Sequence, residues 1–141
     1  MSTEENKALS RRVIEEIFNK QNPSLADELI DANFIDHGMG FKGMEGFKNY
    51  VTTFIIAFPD LHLSIDDMVA EGDEVAMRLT SRGTHEGEFL GIAPTGKQFT
   101  ASGIVIQRIA GNKLAEGWPV NDVLGMMQQL GVIPPMEQSA G

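Results

Sequence analysis

A chain of 141 residues that is 42% hydrophobic and 22% charged has the composition of a soluble globule, and its length fits a single domain over residues 1–141. Its formal net charge of −9 argues against a nucleic-acid-binding protein, because phosphate binding needs clustered Lys and Arg. The absence of cysteine excludes a disulfide scaffold, a thiol nucleophile and a zinc–thiolate site.

The N-terminal region has the apolar spacing of helices. A capping box in Ser2-Thr3-Glu4-Glu5 begins the first helix, in which apolar residues recur at helical spacing from position 9 to position 18. Pro23 lies in the break that ends this helix, and a shorter helix is predicted over residues 24–30. The segment Phe34-Ile35-Asp36-His37-Gly38 then predicts an extended stretch that ends in a glycine-rich loop.

A third helix is predicted from about Gly43 until Pro59, which cannot continue a helix. Its apolar stripe consists of Phe47, Tyr50, Val51, Phe54, Ile55 and Phe58. From residue 61 onward the hydrophobic period changes to two. Alternation over residues 61–70 and 74–83, with Glu71-Gly72-Asp73 between them, predicts a β-hairpin.

Residues 84–96 have the composition of a loop, and residues 97–109 and 113–120 predict a second hairpin about Gly111-Asn112. A last helix covers about 122–130, Gly131 is a natural C-cap, and we expect the tail over about 132–141 to be frayed. Helices followed by antiparallel strands indicate an α+β domain, in which helices cover one face of a curved sheet.

A two-residue turn in the second hairpin predicts which side chains share a face of the sheet, because side chains alternate along a strand. One face would carry the opposed pairs Ile109 with Leu114, Gln107 with Glu116, and Val105 with Trp118. The other face would carry Ile104, Ile106, Arg108, Ala115 and Gly117. The first set mixes apolar walls with two polar groups, as ligand pockets do.

Asp122 follows this strand at the threshold of the last helix and could lean over the same pocket. Beside the indole of Trp118, a carboxylate there is readily desolvated, which raises its pKa and makes it a stronger base. The alternative is an N-cap, which contributes about 1 kcal/mol without catalysis. Trp118 can equally be core, and Glu116 with Gln107 only a cross-strand polar pair.

His37 could hydrogen-bond a substrate oxygen or carry a proton, because imidazole titrates near neutrality; otherwise it is a loop histidine bound to a backbone carbonyl. Arg78 could polarise a carbonyl if it points inward, or belong to a solvated row with Arg82 if it points outward. The three histidines show no metal-binding spacing, so no metal site is predicted.

Motifs spread over nearly the whole chain resemble the SnoaL-like polyketide cyclases, or ester cyclases, of the nuclear-transport-factor-2-like superfamily. They are Phe34-Ile35-Asp36-His37, Ala57-Phe58-Pro59-Asp60-Leu61, Glu71-Gly72-Asp73-Glu74-Val75, Gly83-Thr84-His85-Glu86-Gly87-Glu88-Phe89-Leu90-Gly91, Pro94-Thr95-Gly96-Lys97, Arg108-Ile109, Glu116-Gly117-Trp118, and Asp122 with Gln128-Gln129-Leu130-Gly131. Together these motifs are specific for the family and much less specific for a substrate.

The resemblance implies a cone-shaped α+β barrel, in which a curved antiparallel sheet wraps around the N-terminal helices and the cavity opens at one end. It implies that Asp122 is the acid/base of an intramolecular aldol closure on an aromatic polyketide ester, without cofactor or metal. His37 and Gln107 are then candidates to hold the enolate oxygen, with Trp118, Tyr50 and Phe54 as aromatic walls. Glu116 and Arg78 complete the candidate substrate-binding residues.

Two positions depart from the family pattern. Gly117 stands where the family usually has a larger polar residue, often His, and Pro119 after Trp118 is unusual. The superfamily also includes isomerases, dehydratases, hydrolases and binding modules, so another reaction in the same pocket, or ligand binding alone, is the alternative. Members commonly dimerise through the outer face of the sheet. Ile104 and Ile106, on the face opposite the predicted pocket residues, are compatible with a homodimer.

The expected partner is a hydrophobic, aromatic small molecule rather than nucleic acid or a membrane. No apolar run in the sequence approaches the length that spans a bilayer. The segment Met1-Ser2-Thr3-Glu4-Glu5-Asn6 has neither the basic nor the apolar region of a secretory signal, so we expect a cytoplasmic protein.

Overall fold

The first helix begins at the predicted capping box. In the computed structural model of this chain, which describes residues 2–134, Ser2 precedes helix α1 (Thr3–Arg12). The Oγ atom of Ser2 accepts a hydrogen bond from the backbone N–H of Glu5 at 3.1 Å, and the Glu5 carboxylate accepts one from the backbone N–H of Ser2 at 3.3 Å. The chain continues as a π-helical segment, Val13–Asn19, which buries the predicted apolar face.

The predicted second helix is shorter in the structure. A 3₁₀ turn, Pro23–Leu25, leads into helix α2 (Ala26–Leu29), and Ile30 already belongs to strand β1 (Ile30–Asp36). Helix α3 (Gly43–Ala57) has the predicted start, and Phe58 is its C-cap, because Pro59 cannot extend the helix.

Both predicted hairpins are confirmed. The first pairs β2 (His62–Glu71) with β3 (Glu74–Thr84), and the second pairs β4 (Gln98–Ala110) with β5 (Lys113–Asn121). Residues 85–97 form the connecting loop. Helix α4 (Val123–Gln129) follows β5, and Gly131 adopts the left-handed φ of +76° that a helix C-terminus favours. The predicted tail is described only to residue 134, and its remainder lies outside the described residues.

The five strands form one curved open sheet in the order β1-β5-β4-β3-β2, with the N-terminal helices packed against one face. The α+β class is therefore confirmed. All neighbouring strands are antiparallel except β1, which runs parallel to β5. Phe58 lies at the centre of the core, where its ring packs against Phe54, Phe89 and Phe99 with centroid distances of 6.2, 5.3 and 4.9 Å.

The predicted register of the second hairpin is correct near the turn and wrong beyond it. Ile109 pairs with Leu114 as predicted, but the next pair joins Arg108 to Glu116, so that Ala115 is an extra residue in β5. Such a bulge shifts all later side chains by one position and so exchanges the faces.

The shift exchanges the two sets of β5 side chains. Gln107 pairs with Gly117 and Val105 with Pro119, whereas Trp118 pairs with Ile106. Gly117 therefore lies on the helix-covered face with Gln107. Trp118 and Glu116 lie on the opposite, outer face, contrary to the prediction.

Replacing Phe58 by Ala should lower the free energy of unfolding by about 3–5 kcal/mol, because its fully buried ring leaves a cavity among packed aromatics. The control is Ile56→Ala, two residues earlier on α3 and 60% exposed, for which a change within about 0.5 kcal/mol is expected. Urea denaturation followed by circular dichroism measures both. Equal losses would mean that this part of the core is not organised around Phe58.

Candidate active site

An apolar pocket lies between the helices and the concave face of the sheet. Helix α3 contributes Tyr50 and Phe54, whose rings lie 4.9 Å apart, and Phe41 stacks on Tyr50 at the same centroid distance. The other aromatic rings in its wall are Phe18, Phe34, Phe47, Phe89 and Phe99. Such a wall favours a flat apolar ligand, because rings gain both buried area and stacking contacts.

The mouth of the pocket is marked by exposed residues in its lining. Met39, Leu90 and Val123 are 57%, 63% and 49% exposed and come from three separate segments of the chain. Leu90 has a left-handed φ of +51°, an unfavourable backbone conformation for a leucine. The pocket is therefore entered between the β1–α3 loop, the β3–β4 loop and the start of α4.

Asp122 lines the pocket at this mouth and is exposed. Its Oδ1 atom accepts a hydrogen bond from the backbone N–H of Gly125 at 2.9 Å, so the side chain caps α4. Its Oδ2 atom has no hydrogen-bond partner among residues 2–134. The carboxylate therefore caps the helix and still has one oxygen available to a ligand.

Gln107 lines the pocket as well, with 6% of its surface exposed. Its Oε1 atom is buried and has no hydrogen-bond partner within the described part of the chain. An unpaired amide inside a protein costs free energy, which a ligand can recover by pairing with it. Tyr50, Phe54, Gln107 and Asp122 are thus the predicted site residues that the structure brings together.

Asp36, which was not among the predicted site residues, is a further polar residue in the pocket lining. It is 7% exposed, and its Oδ2 atom accepts hydrogen bonds from the backbone N–H groups of Gly38 at 3.1 Å and Met39 at 2.6 Å. Burial and, to a smaller extent, the negative charge of Asp36 raise the pKa of the Tyr50 hydroxyl to about 12. The phenol therefore stays protonated at neutral pH and can donate a hydrogen bond.

The sequence contained one signal for Asp36: an acidic residue two positions before a glycine, at the end of an extended segment. Which face its side chain occupies depends on the parallel pairing of β1 with β5, and this long-range contact has no local signal.

Three predicted site residues lie outside the pocket lining, namely His37, Glu116 and Trp118. Glu116 and Trp118 are on the outer face of β5, and His37, just after β1, contacts both. The Nε2 atom of His37 lies 2.7 Å from Glu116 Oε2, and the His37 ring stacks on Trp118 with centroids 4.9 Å apart. Arg108 Nε donates to Glu116 Oε1 at 2.7 Å. The hydrogen bond from His37 and, to a smaller extent, the one from Arg108 lower the pKa of Glu116. His37, Glu116 and Arg108 thus form a hydrogen-bonded polar cluster on the outer face.

Arg78 also lies outside the pocket lining. Its side chain is 57% exposed, and its NH1 atom lies 3.9 Å from Asp66 Oδ2, which makes a weak surface ion pair. Arg78 therefore points outward, away from the pocket, which was the second of its two predicted orientations.

Among residues 2–134, no three His, Asp or Glu side chains are grouped so that they could hold a metal ion. The helices of this same range include none that is both long and apolar enough to cross a bilayer.

The chain is similar to known proteins over most of its length. Residues 8–130 match the family described as SnoaL-like polyketide cyclase. Aklanonic acid methyl ester cyclase DnrD of Streptomyces peucetius is 30% identical over 130 residues, which cover 87% of this chain and 88% of that protein.

Two solved structures share the fold. TsrD of Streptomyces laurentii superposes with a TM-score of 0.86 at 27% identity, covering 94% of this chain and 99% of that one. AclR of Streptomyces galilaeus, provisionally described as a hydroxylase, superposes with a TM-score of 0.85 at 27% identity, covering 97% of this chain and 87% of that one.

Tyr50 is the only tyrosine, so the absorbance of phenolate near 295 nm reports its ionisation alone. We expect a midpoint near pH 12 in the folded protein, and one near pH 10 in urea, where the hydroxyl is solvated. Asp36→Asn should lower the folded midpoint, because it removes a nearby negative charge. The contrary result is a midpoint near pH 10 for the wild type while its circular dichroism is still native at that pH. It would mean that the Tyr50 hydroxyl is exposed to water.

Proposed function

This chain belongs to the SnoaL-like polyketide cyclase family, and on that premise we propose that it is a cofactor-independent cyclase that closes a ring by an intramolecular aldol reaction. The proposed substrate is an aromatic polyketide ester or a similar carbon acid. Its ester class follows from the similarity to DnrD, an aklanonic acid methyl ester cyclase, and its aromatic character fits the walls of the pocket. The observation that carries the proposal is a carboxylate, Asp122, with a free oxygen at the mouth of this apolar pocket.

Asp122 would act as the general base. Its Oδ2 atom takes the proton from the carbon next to the ester carbonyl, and the electron pair of that C–H bond forms an enolate. The enolate carbon attacks a ketone carbonyl of the same molecule, which forms the new C–C bond and leaves an alkoxide. The protonated Asp122 then returns its proton to the alkoxide, so that the product is an isomer of the substrate. General-base catalysis of this kind supplies about 10²–10⁴-fold.

The helix cap supports this role because it orients the carboxylate. The bond from Gly125 N–H holds Oδ1 and therefore restricts the direction in which Oδ2 points. Of the two residues predicted to hold the enolate oxygen, His37 lies outside the pocket lining. Gln107 lies far from Asp122 along the sheet. Asn121, the residue before Asp122, pairs with Gly103 on β4, and Gln107 lies four residues, or about 13 Å of strand, beyond Gly103. We therefore assign Gln107 to binding a remote part of the substrate.

A second candidate is a small-molecule binding module without catalysis. The capping bond favours it, because a capping carboxylate stabilises the helix whether or not it acts as a base. A third candidate is a different reaction in the same pocket. AclR, which has a similar fold, is provisionally described as a hydroxylase.

We also propose a homodimer formed through the outer face of the sheet. Val69, Ala76, Ile106 and Trp118 are successive partners across β2, β3, β4 and β5, so they form a continuous row. Ile104 and Val120 form a pair beside it and are 55% and 75% exposed. An exposed apolar surface of this kind is typical of a protein–protein contact.

Asp122→Asn should slow turnover while the melting temperature stays within about 2 °C, because Asn caps a helix as well as Asp does. We would follow ring closure on a panel of anthraquinone β-keto esters by absorbance and mass spectrometry. We expect a fall of about 10²–10⁴-fold. The matched control is Glu71→Gln, a carboxylate-to-amide change at an exposed position on β2, which should leave the rate unchanged.

Equal ring closure by wild type and Asp122→Asn would show that Asp122 is only a cap. Binding of the panel by the wild type without turnover of any member would favour the binding module.

Ile104→Glu should convert the dimer to a monomer in sedimentation velocity, because it places a charge in the centre of the outer apolar face. Ile56→Glu introduces the same change on an exposed position of α3, away from the sheet, and should leave the sedimentation coefficient unchanged. A wild-type protein that sediments as a monomer at micromolar concentration would refute the proposed dimer.

A further inference from the structure

Gly117 separates two buried polar side chains inside the pocket. Its neighbours in the sheet are Asp36 on β1 and Gln107 on β4, so the three residues form a row across β1, β5 and β4. All three line the pocket, and Asp36 and Gln107 are 7% and 6% exposed. The row is therefore an interior feature of the pocket, unlike Asp122 at its mouth.

The missing side chain of Gly117 leaves room for a small group within this row. A Cβ atom added there would lie 3.5 Å from Phe34 Cζ and 3.9 Å from Asp36 Oδ1, which are ordinary van der Waals distances. The backbone of Gly117 has a negative φ, so other residues can adopt it. The position could hold a side chain, and the space that a side chain would occupy faces Asp36 Oδ1.

The hydrogen-bonding groups around this space are incompletely paired. Both backbone N–H groups that donate to Asp36 bind its Oδ2 atom, and within residues 2–134 no hydrogen bond reaches Oδ1. The Oε1 atom of Gln107 is buried without a partner in the same range. Rotation about the last side-chain bond lets the Gln107 amide present either its oxygen or its nitrogen.

We propose that Asp36, Gln107 and the space over Gly117 form a polar subsite that binds a neutral hydroxyl group of the ligand. The hydroxyl donates to Asp36 Oδ1 and accepts from the Gln107 amide. A carboxylate or phenolate is excluded because the charge of Asp36 repels it. The inference rests on the proposed function in one respect, that the pocket binds a small molecule, and it adds the chemistry of the ligand's inner end.

The position of the subsite also sets the length of a ligand that reaches both polar ends of the pocket. Gly117 lies four β5 residues from Asn121, which is about 13 Å of extended strand. A substrate whose reacting carbon lies at Asp122 must therefore be elongated to place a hydroxyl over Gly117. Apolar rings between the two ends would lie against the aromatic wall.

The test compares three ligands of one shape, 1-naphthol, 1-methoxynaphthalene and 1-naphthoate, by NMR titration of the full-length protein. Wild type should bind 1-naphthol about tenfold more tightly than 1-methoxynaphthalene, because only the hydroxyl can donate to a charged acceptor. 1-Naphthoate should bind more weakly than either.

Asp36→Asn should abolish the preference for 1-naphthol while keeping the affinity for 1-methoxynaphthalene. The Asn oxygen can still accept from Gly38 and Met39, but its NH₂ group presents donors where Oδ1 was an acceptor. Gly117→Ala should weaken 1-naphthol binding, because its methyl group takes up room in the subsite that the hydroxyl would enter. Glu71→Gln, a carboxylate-to-amide change at an exposed position on β2 outside the pocket lining, is the control and should keep the full preference.

Equal binding of 1-naphthol and 1-methoxynaphthalene by wild type, or no binding of 1-naphthol, would overturn the subsite. So would a preference that survives Asp36→Asn. If that variant does not fold, Gly117→Ala decides, because its Cβ makes no close contact. Failure of the proposed cyclase is seen separately, as turnover that survives Asp122→Asn, and it leaves the naphthol preference unaffected.

Discussion

The bulge at Ala115 determines which residues meet in the pocket. One extra residue between the Ile109–Leu114 and Arg108–Glu116 pairs reverses the orientation of the rest of β5. It turns Gly117 and Pro119 toward the helices and Trp118 toward the outside. Without it, an indole and a carboxylate would stand in the pocket, and the space between Asp36 and Gln107 would be filled. The composition of both faces therefore depends on one irregularity in the ladder.

The two faces of the sheet consequently have different chemistry. The outer face carries apolar residues beside the polar cluster of His37, Glu116 and Arg108, in which the hydrogen bonds from both partners lower the pKa of Glu116. The concave face is almost entirely apolar, with a few polar groups that are not fully paired. Buried groups of that kind reduce the stability of the empty protein and gain most from a ligand that pairs with them.

Local patterns predicted the elements well. The capping box of α1, the stripe of α3, both hairpin turns and the cap of α4 depend on residues close in sequence, and all are present. Of the predicted site residues that line the pocket, Gln107 was selected by alternation from a turn and Asp122 by its position just after the strand. Tyr50 and Phe54 were selected through the family resemblance. The errors begin where the face depends on a contact distant in sequence, or on a bulge without a sequence signature.

By itself, the sequence determined an α+β arrangement, an apolar stripe on each main helix and an acidic residue at the start of the last one. Only the tertiary structure decided that Trp118 and Glu116 face outward, and that Asp36 faces inward beside Gly117. The physical reason is that periodicity specifies relative orientation within one element. The absolute orientation of a strand is determined by its partners, and one added residue in a ladder reverses it.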